Sequence, residues 1–312
     1  MKLVSITRAL FVSAFVATAV VSCGSSSADD SGSSVVESST VDTAAGDGDV
    51  SGSPERIVSL SPTHTEILFA IGAGEQVVAV DAMSNFPPEA TAVVTSLSGY
   101  EPNVESIVSY EPDLVVIGDD YNGLAEQLAS VGIESWAAPA PLNLDEVLAQ
   151  IENLGGVVGR LDESTELANS MRTSIDEIVA STPTLDAPLS FYHELDDTYF
   201  TATSNTFVGS VYGLFGLRNI ADAAEDQSDY PQLSAEFIIS QNPDLVFLAD
   251  TKCCAVSAES VAARPGWETL AAVRNGHVIA LDDDIASRWG PRVVDFVRFI
   301  SEAVSQLMQA VG

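Results

Sequence analysis

Two stretches of this chain decide its fold. Residues 105–119 read Glu105-Ser-Ile-Val-Ser109-Tyr-Glu-Pro112-Asp113-Leu114-Val115-Val-Ile117-Gly-Asp119. Residues 236–250 read Glu236-Phe-Ile-Ile-Ser240-Gln-Asn-Pro243-Asp244-Leu245-Val246-Phe-Leu248-Ala-Asp250. The offset is a constant 131 without a gap, and the Glu, Ser, Pro, Asp, Leu, Val and final Asp coincide. Each copy has the same physics. Val104, Ile107 and Val108 recur at helical spacing. Pro112 then stops the helix, because its ring occupies the position of the hydrogen-bonding N–H. Leu114 to Ile117 is an unbroken apolar run, the pattern of a strand covered on both faces in a parallel sheet. An aspartate closes each strand at its C-terminal end.

A looser echo surrounds the first. Ile57 to Leu60 is a strand candidate followed by an apolar helix candidate, Thr65 to Ile71, ending at Gly72. Leu189 to Tyr192, then Val208 to Phe215 and Gly216, repeat that order. Strands alternating with helices predict parallel sheets. The expected fold is therefore α/β, with an N-terminal lobe over 54–142 and a C-terminal lobe over 183–312. Between them, Leu144, Val147, Leu148, Ile151, Leu154 and Val158 recur at helical spacing, continued by Leu161, Leu167, Met171, Ile175 and Ile178. Asn143 with Glu146 has the spacing of a capping box. Residues 143–182 are thus read as a long connecting helix, with Gly155-Gly156 the place where it would kink or divide. Open α/β sheets take ligands beyond their strand C-termini, so two lobes joined this way predict a ligand cleft between them.

The segment ahead of the lobes reads differently. Lys2 and Arg8 precede an apolar run from Leu10 to Val21, the layout of a secretory signal over 1–22. The run ends at Val20-Val21-Ser22-Cys23, which resembles a bacterial lipobox, so Cys23 is the expected site of lipid attachment. Residues 23–53 are Ser, Gly, Asp, Thr and Ala with scattered Val, too polar to bury surface against their ordering entropy. They read as a disordered acidic tether. The globular part is expected outside the cytoplasm, lipid-anchored to the cell membrane.

The 312 residues carry 45 acidic and 12 basic side chains, a formal charge of −33. Phosphate recognition needs clustered Lys and Arg, so nucleic acid is excluded as a partner. Phosphate-binding loops of the GxxxxGK[ST] or GxGxxG kind, the GxSxG elbow and HExxH are all absent from the sequence. With so many carboxylates, any close acidic pair has little meaning as an acid/base device. The chain reads as a non-enzyme.

The segment from Arg56 through Ser61-Pro62-Thr-His-Thr-Glu66 to Gly72-Ala-Gly74, with Asn85-Phe86-Pro87-Pro88, carries a family resemblance. So do the two Pro-Asp-Leu-Val units, Gly266-Trp267, Asn275-Gly276-His277-Val278 and Ser287-Arg288-Trp289-Gly290-Pro291-Arg292. Over about 54–310 the chain resembles the vitamin B12- and ferric-siderophore-binding proteins of bacterial ABC importers. The resemblance implies two lobes on a helical backbone, little lobe closure, and cargo delivery to an ABC permease and its ATPase by a monomer. It implies a corrinoid or ferric siderophore as cargo, with haem, a bare Zn or Mn ion, or a non-transport surface scaffold as alternatives. No resident cofactor is expected, since any metal would arrive with the cargo.

In that family a surface glutamate on each lobe docks to permease arginines. Glu66 is the expected first; the second falls on the helix before Gly216, where this chain has Ser210. Asp284 and Arg288, four residues apart before Pro291-Arg292, stand in the register of a ligand-contacting pair in the B12-binding branch. The expected ligand-binding set is Tyr100, Asp119 and Tyr121 from the first lobe, with His193, Tyr199, Tyr230, Lys252, Asp284, Arg288 and Trp289 from the second. His64 and His193, each after a first strand, would be the ligands of a bare metal ion. Cys253 and Cys254 are adjacent at a predicted strand end, where a vicinal disulfide, thiolates touching a metal centre, or a pair of small loop residues are the alternatives.

Overall fold

The computed structural model of the chain describes residues 52–226 and 228–311. The signal segment, Cys23 and nearly all of the tether lie outside the described residues.

Strands β1 (Ile57–Ser59), β2 (Val77–Val80), β3 (Leu114–Ile117) and β4 (Glu134–Ala137) form a sheet in the order β2-β1-β3-β4. Strands β5 (Ser190–Glu194), β6 (Arg218–Asn219), β7 (Leu245–Leu248) and β8 (Val278–Ala280) form a second in the order β6-β5-β7-β8. Every pairing in both sheets is parallel, and the two orders are the same. The helices, in chain order, are α1 (Pro62–Ala70), α2 (Val104–Val108), α3 (Leu124–Ser130), α4 (Leu144–Val157), α5 (Leu161–Ser181), α6 (Phe207–Gly213), α7 (Ala235–Gln241), α8 (Ala258–Ala262), α9 (Ala271–Asn275), α10 (Asp283–Ala286) and α11 (Val293–Val311). The expected pair of α/β lobes is therefore present.

Local chemistry accounts for the repeated unit. Asn103 caps α2 by accepting from the Ser106 N–H at 2.8 Å, and Ser234 caps α7 by accepting from Phe237 at 3.1 Å. The aspartate after each proline then clasps the start of the central strand. Asp113 accepts from the backbone N–H groups of Glu55 and Arg56 at 2.8 and 3.0 Å, just before β1. Asp244 accepts from the Ser190 N–H at 2.8 Å, at the start of β5. The recurrence of Pro-Asp thus has a structural cause: it ends a helix and fixes the register of two parallel strands.

The connector takes the divided form of the expectation, with the break a few residues after Gly155-Gly156. It is two helices, α4 and α5, separated at Val158-Gly159-Arg160. Gly159 takes a φ of +72°, the left-handed conformation that ends a helix, and the Arg160 N–H bonds the Gly155 carbonyl at 2.7 Å. Gly155 itself lies inside α4. A Cβ there would sit 2.0 Å from the Ser164 hydroxyl, so this glycine is what lets the two helices approach. The 21 residues of α5 span about 31 Å at 1.5 Å per residue.

One apolar cluster runs through the whole body. It joins Ile57 and Leu114 of the first sheet, Ile151 and Leu154 of α4, Met171 and Ile175 of α5, Phe191 and Phe247 of the second sheet, and Phe296 and Ile300 of α11. Alternate strand residues face outward into a smaller cluster on each lobe: Val58 and Val115 in one, Tyr192 and Val246 in the other. The lobes thus share an interior.

Candidate functional site

A cavity of about 640 Å³ opens between the lobes. Its walls come from the segments that leave the strand C-termini: Leu60 to Thr63 after β1, Asp81 to Asn85 after β2, Gly118-Asp119 after β3, Leu195 after β5, and Ala249 to Cys253 after β7. Gly99 and Tyr100 close one side, and Asp283, Asp284 and Ser287 to Trp289 close another. Gly99 packs so tightly that a Cβ would lie 2.3 Å from the Leu60 carbonyl oxygen, so glycine is required to keep that wall in place.

Six of the ten expected ligand-binding residues line this cavity: Tyr100, Asp119, Lys252, Asp284, Arg288 and Trp289. Tyr100 is 75% exposed and is available to a ligand face. Tyr230 is half-exposed on the second lobe; burial, with Asp229 and Asp119 close by, holds its hydroxyl above the ordinary tyrosine range. Asp119 belongs to the first lobe, so Tyr230 stands at the cleft margin. The Tyr121 side chain lies outside the described residues.

Two expected residues are elsewhere. His193 is fully buried in β5, with its Nδ1 2.8 Å from the Tyr212 hydroxyl, and burial lowers its pKa to about 3. Tyr199 stacks on Trp267 at 5.8 Å and lies under the Arg264 guanidinium, which sits 5.3 Å from its ring centre. Both are structural. His64 is buried against Trp136 at 4.9 Å, and burial lowers it to about 4 despite Gln150 beside it. Among the described residues no group of three or more His, Cys, Asp or Glu side chains is placed to hold a metal ion. The His64–His193 arrangement for a bare ion is thus not formed. Cys253 and Cys254 are both free thiols. The bond expected as one alternative is not made, consistent with the strain of an eight-membered ring.

The expectation for Glu66 is corrected outright. Its side chain is almost wholly buried, at 3% exposure, and faces the opposite lobe rather than solvent. Its carboxylate accepts from Arg288 Nη1 at 2.9 Å, and from Arg292 Nε and Nη2 at 2.9 and 2.5 Å. Arg288 also bonds Asp284 at 2.6 Å, Asn85 at 2.9 Å and the Met83 carbonyl at 3.2 Å. Phe86 covers the Arg292 guanidinium, 4.3 Å from its ring centre. These residues join the lobes at the base of the cleft. The helical spacing of Ser61-Pro62 and Glu66 is visible in the sequence, but its arginine partners lie more than 220 residues away.

Lys252 has a similar commitment. Its ammonium lies 2.6 Å from Asp282 and 2.8 Å from Asp284. Those carboxylates hold it above the ordinary lysine range against the opposing effect of burial. Asp284, though partly desolvated, is held below the ordinary carboxylate range by Lys252 and Arg288. Asp283 accepts from the backbone N–H groups of Thr251, Lys252 and Cys253, fixing the loop that carries them. Asp81, Asn85, Gly99 and Asp283 were not among the expected site residues. Asp81 could have been found, since it closes the Val77–Val80 run as Asp119 closes its own strand.

Behind that loop is a buried charge cluster. Arg264 forms a bidentate pair with Glu194, both contacts at 2.6 Å, and lies 4.6 Å from the Trp267 ring centre. Asp250 is fully buried beside it; burial and the Glu194 charge raise its pKa to about 7.

Two parallel-sheet lobes on a helical backbone, with a cleft at the strand C-termini, define a ligand-capture protein of the substrate-binding class. The chain belongs to the periplasmic binding protein family, whose pattern it matches over residues 57–285. It is 30% identical over 259 residues to the ABC transporter substrate-binding lipoprotein YvrC of Bacillus subtilis, covering 80% of each chain. It is 31% identical over 250 residues to a cobalamin-binding protein of Halobacterium salinarum, covering 78% of this chain and 67% of that one. Its fold matches the crystal structure of the periplasmic vitamin B12-binding protein BtuF of Vibrio cholerae with a TM-score of 0.68 at 27% identity, covering 82% and 98% of the two chains. The periplasmic haem-binding protein RhuT of Roseiflexus matches with a TM-score of 0.73 at 27% identity, covering 82% and 99%.

Proposed function

We propose that this protein is the extracytoplasmic, lipid-anchored binding component of an ABC importer and that its cargo is a corrinoid. The observation that carries the reading is the position of Asp284 and Arg288. They are hydrogen-bonded to one another in the wall of the interlobe cavity, and the resemblance to B12-binding proteins makes that register one of ligand contact. The cavity volume lies within the range of about 300–1,000 Å³ typical of small-molecule sites. Half-buried Trp289 and exposed Tyr100 and Met83 offer apolar surface for a macrocycle, and the surrounding carboxylates and carbonyls accept from peripheral amides. The relatives named for cobalamin and vitamin B12 support the same cargo.

Docking to the permease is assigned to Glu105 and Glu236. They are the first residues of the internal repeat, exposed in the first turns of α2 and α7, one on each lobe. That is the arrangement the buried Glu66 cannot provide. Cargo is bound and handed on without chemical change.

Thermal unfolding with cyanocobalamin, ferric siderophores and haem in turn tests the reading. A ligand specific for the folded state adds about 2.7 kcal/mol of stability at 100 times its dissociation constant. A rise in midpoint with cyanocobalamin supports the corrinoid. A rise with haem or a siderophore alone would replace it, and no rise with any chelate would refute it.

A further inference from the structure

The cleft has an unusual charge balance. Four carboxylates line it, those of Asp81, Asp119, Asp283 and Asp284, against two cations, Lys252 and Arg288. Both cations are already neutralised from within the protein. Lys252 lies between Asp282 and Asp284, and Arg288 between Glu66 and Asp284. The four ion-pair distances run from 2.6 to 2.9 Å. A ligand carboxylate entering the cavity therefore meets no uncommitted cation among the described lining residues, in a protein of formal charge −33. To recruit Arg288 it would have to compete with a buried glutamate; Lys252 keeps one ammonium N–H beyond the two taken by Asp282 and Asp284, but both of those carboxylates already balance its charge. Displacing Glu66 would take from a buried carboxylate one of its two arginine partners.

From this geometry, and resting on the corrinoid reading above, we infer that the cleft selects by charge: it accepts a chelate whose rim is neutral or cationic and donates hydrogen bonds, and it rejects one whose rim carries carboxylates. A rim of primary amides satisfies such a wall. Each amide N–H₂ donates to a carboxylate or carbonyl, and none must be stripped of a proton or a counterion. Haem, with two propionates, and carboxylate-type iron chelates carry the wrong sign. Asp119 is the discriminating residue, on the first-lobe wall of a lining whose carboxylates outnumber its cations. Lys252 and Arg288 serve to hold Asp284 in place rather than to meet an anion.

The test compares ligands that differ by a single charge. Binding of the purified protein to cyanocobalamin and to its monocarboxylic acids, in which one peripheral amide is hydrolysed, is measured by titration at pH 7.5 in 20 mM and 500 mM salt. The acids should bind at least about tenfold more weakly at low salt. The gap should narrow at high salt as the Debye length contracts. Asp119→Asn should narrow it several-fold at low salt while cyanocobalamin itself changes less. Lys252→Gln, which takes the cation from Asp282 and leaves Asp284 with Arg288 alone, should widen it. Equal or tighter binding of the acids, or a preference for haem, would overturn the charge inference and leave a chelate importer standing. Failure of cyanocobalamin, its acids, haem and a cationic ferric trihydroxamate all to bind would overturn the cargo reading and this inference together.

Discussion

Replacing Glu66 with Gln tests the interlobe ion cluster most directly. The side chain is isosteric, so packing is kept and only the charge is lost. Glu66 is 3% exposed and takes three hydrogen bonds from two guanidinium groups. Breaking a buried ion pair from one side costs about 3–5 kcal/mol, because the other charge is left uncompensated. Two features lower that figure here. Arg288 keeps Asp284 as a partner, and the Arg292 side chain retains 16% exposure, so water can reach it. The amide oxygen of Gln also still accepts. A loss of about 2–3 kcal/mol is expected, a large share of the 5–15 kcal/mol by which domains are stable. Urea unfolding at pH 7 measures it: the midpoint should fall at unchanged slope. Glu105→Gln, on the solvent face of α2, is the control and should stay within about 0.5 kcal/mol of the parent. A Glu66→Gln loss below about 1 kcal/mol would refute the view that this carboxylate holds the lobes together.

Other outcomes follow from the same geometry. Glu105→Ala with Glu236→Ala should leave cargo affinity unchanged and reduce uptake in cells or proteoliposomes carrying the cognate permease; full uptake would remove the docking assignment. Gly155→Ala drives a methyl group into Ser164, 2.0 Å from its hydroxyl, and should destabilise the protein by about 1–3 kcal/mol in a denaturation series. Asp250 has a folded-state pKa raised to about 7, above its ordinary value, so the folded protein holds the proton more tightly. Its contribution is fully present below about pH 4 and is lost as pH rises towards about 7. Asp250→Asn should therefore flatten the fall in stability between those limits, and an unchanged pH profile would show that the carboxyl titrates normally.

Much of the architecture was legible because repetition is a local signal. The Pro-Asp-Leu-Val units mark where helices stop and central strands begin, and the structure shows why: Asp113 and Asp244 clasp β1 and β5. Burial on both faces was also readable, since Leu114 to Ile117 and Leu245 to Leu248 are unbroken apolar runs and every residue in them is buried. What the sequence concealed depends on partners far along the chain. Glu66 looks like a helix-surface carboxylate until Arg288 and Arg292 arrive from the other lobe. His193 follows apolar residues that suggest a strand end, but β5 continues through Glu194 and buries it. The division of the connector was legible in Gly155-Gly156, but its place at Val158–Arg160, set by the left-handed Gly159, was blurred by apolar spacing that runs on across it. Glu105 and Glu236, exposed at equivalent positions on the two lobes, are by contrast a local feature of the repeat.

The shared interior has a bearing on how cargo leaves. A receptor whose halves are separate bodies can snap shut on a ligand and reopen of its own accord. Here Ile57, Met171, Phe247 and Phe296 belong to one apolar mass, and the arginine–glutamate contacts lie across the base of the cleft. Spreading the lobes would open that mass to water at a cost of about 25 cal/mol for each Å² exposed. Spontaneous gaping is thus opposed by that burial. On the proposed importer reading, the work of prising them apart falls to the transporter, which makes unloading an event at the membrane and spares captured cargo from loss on the way there.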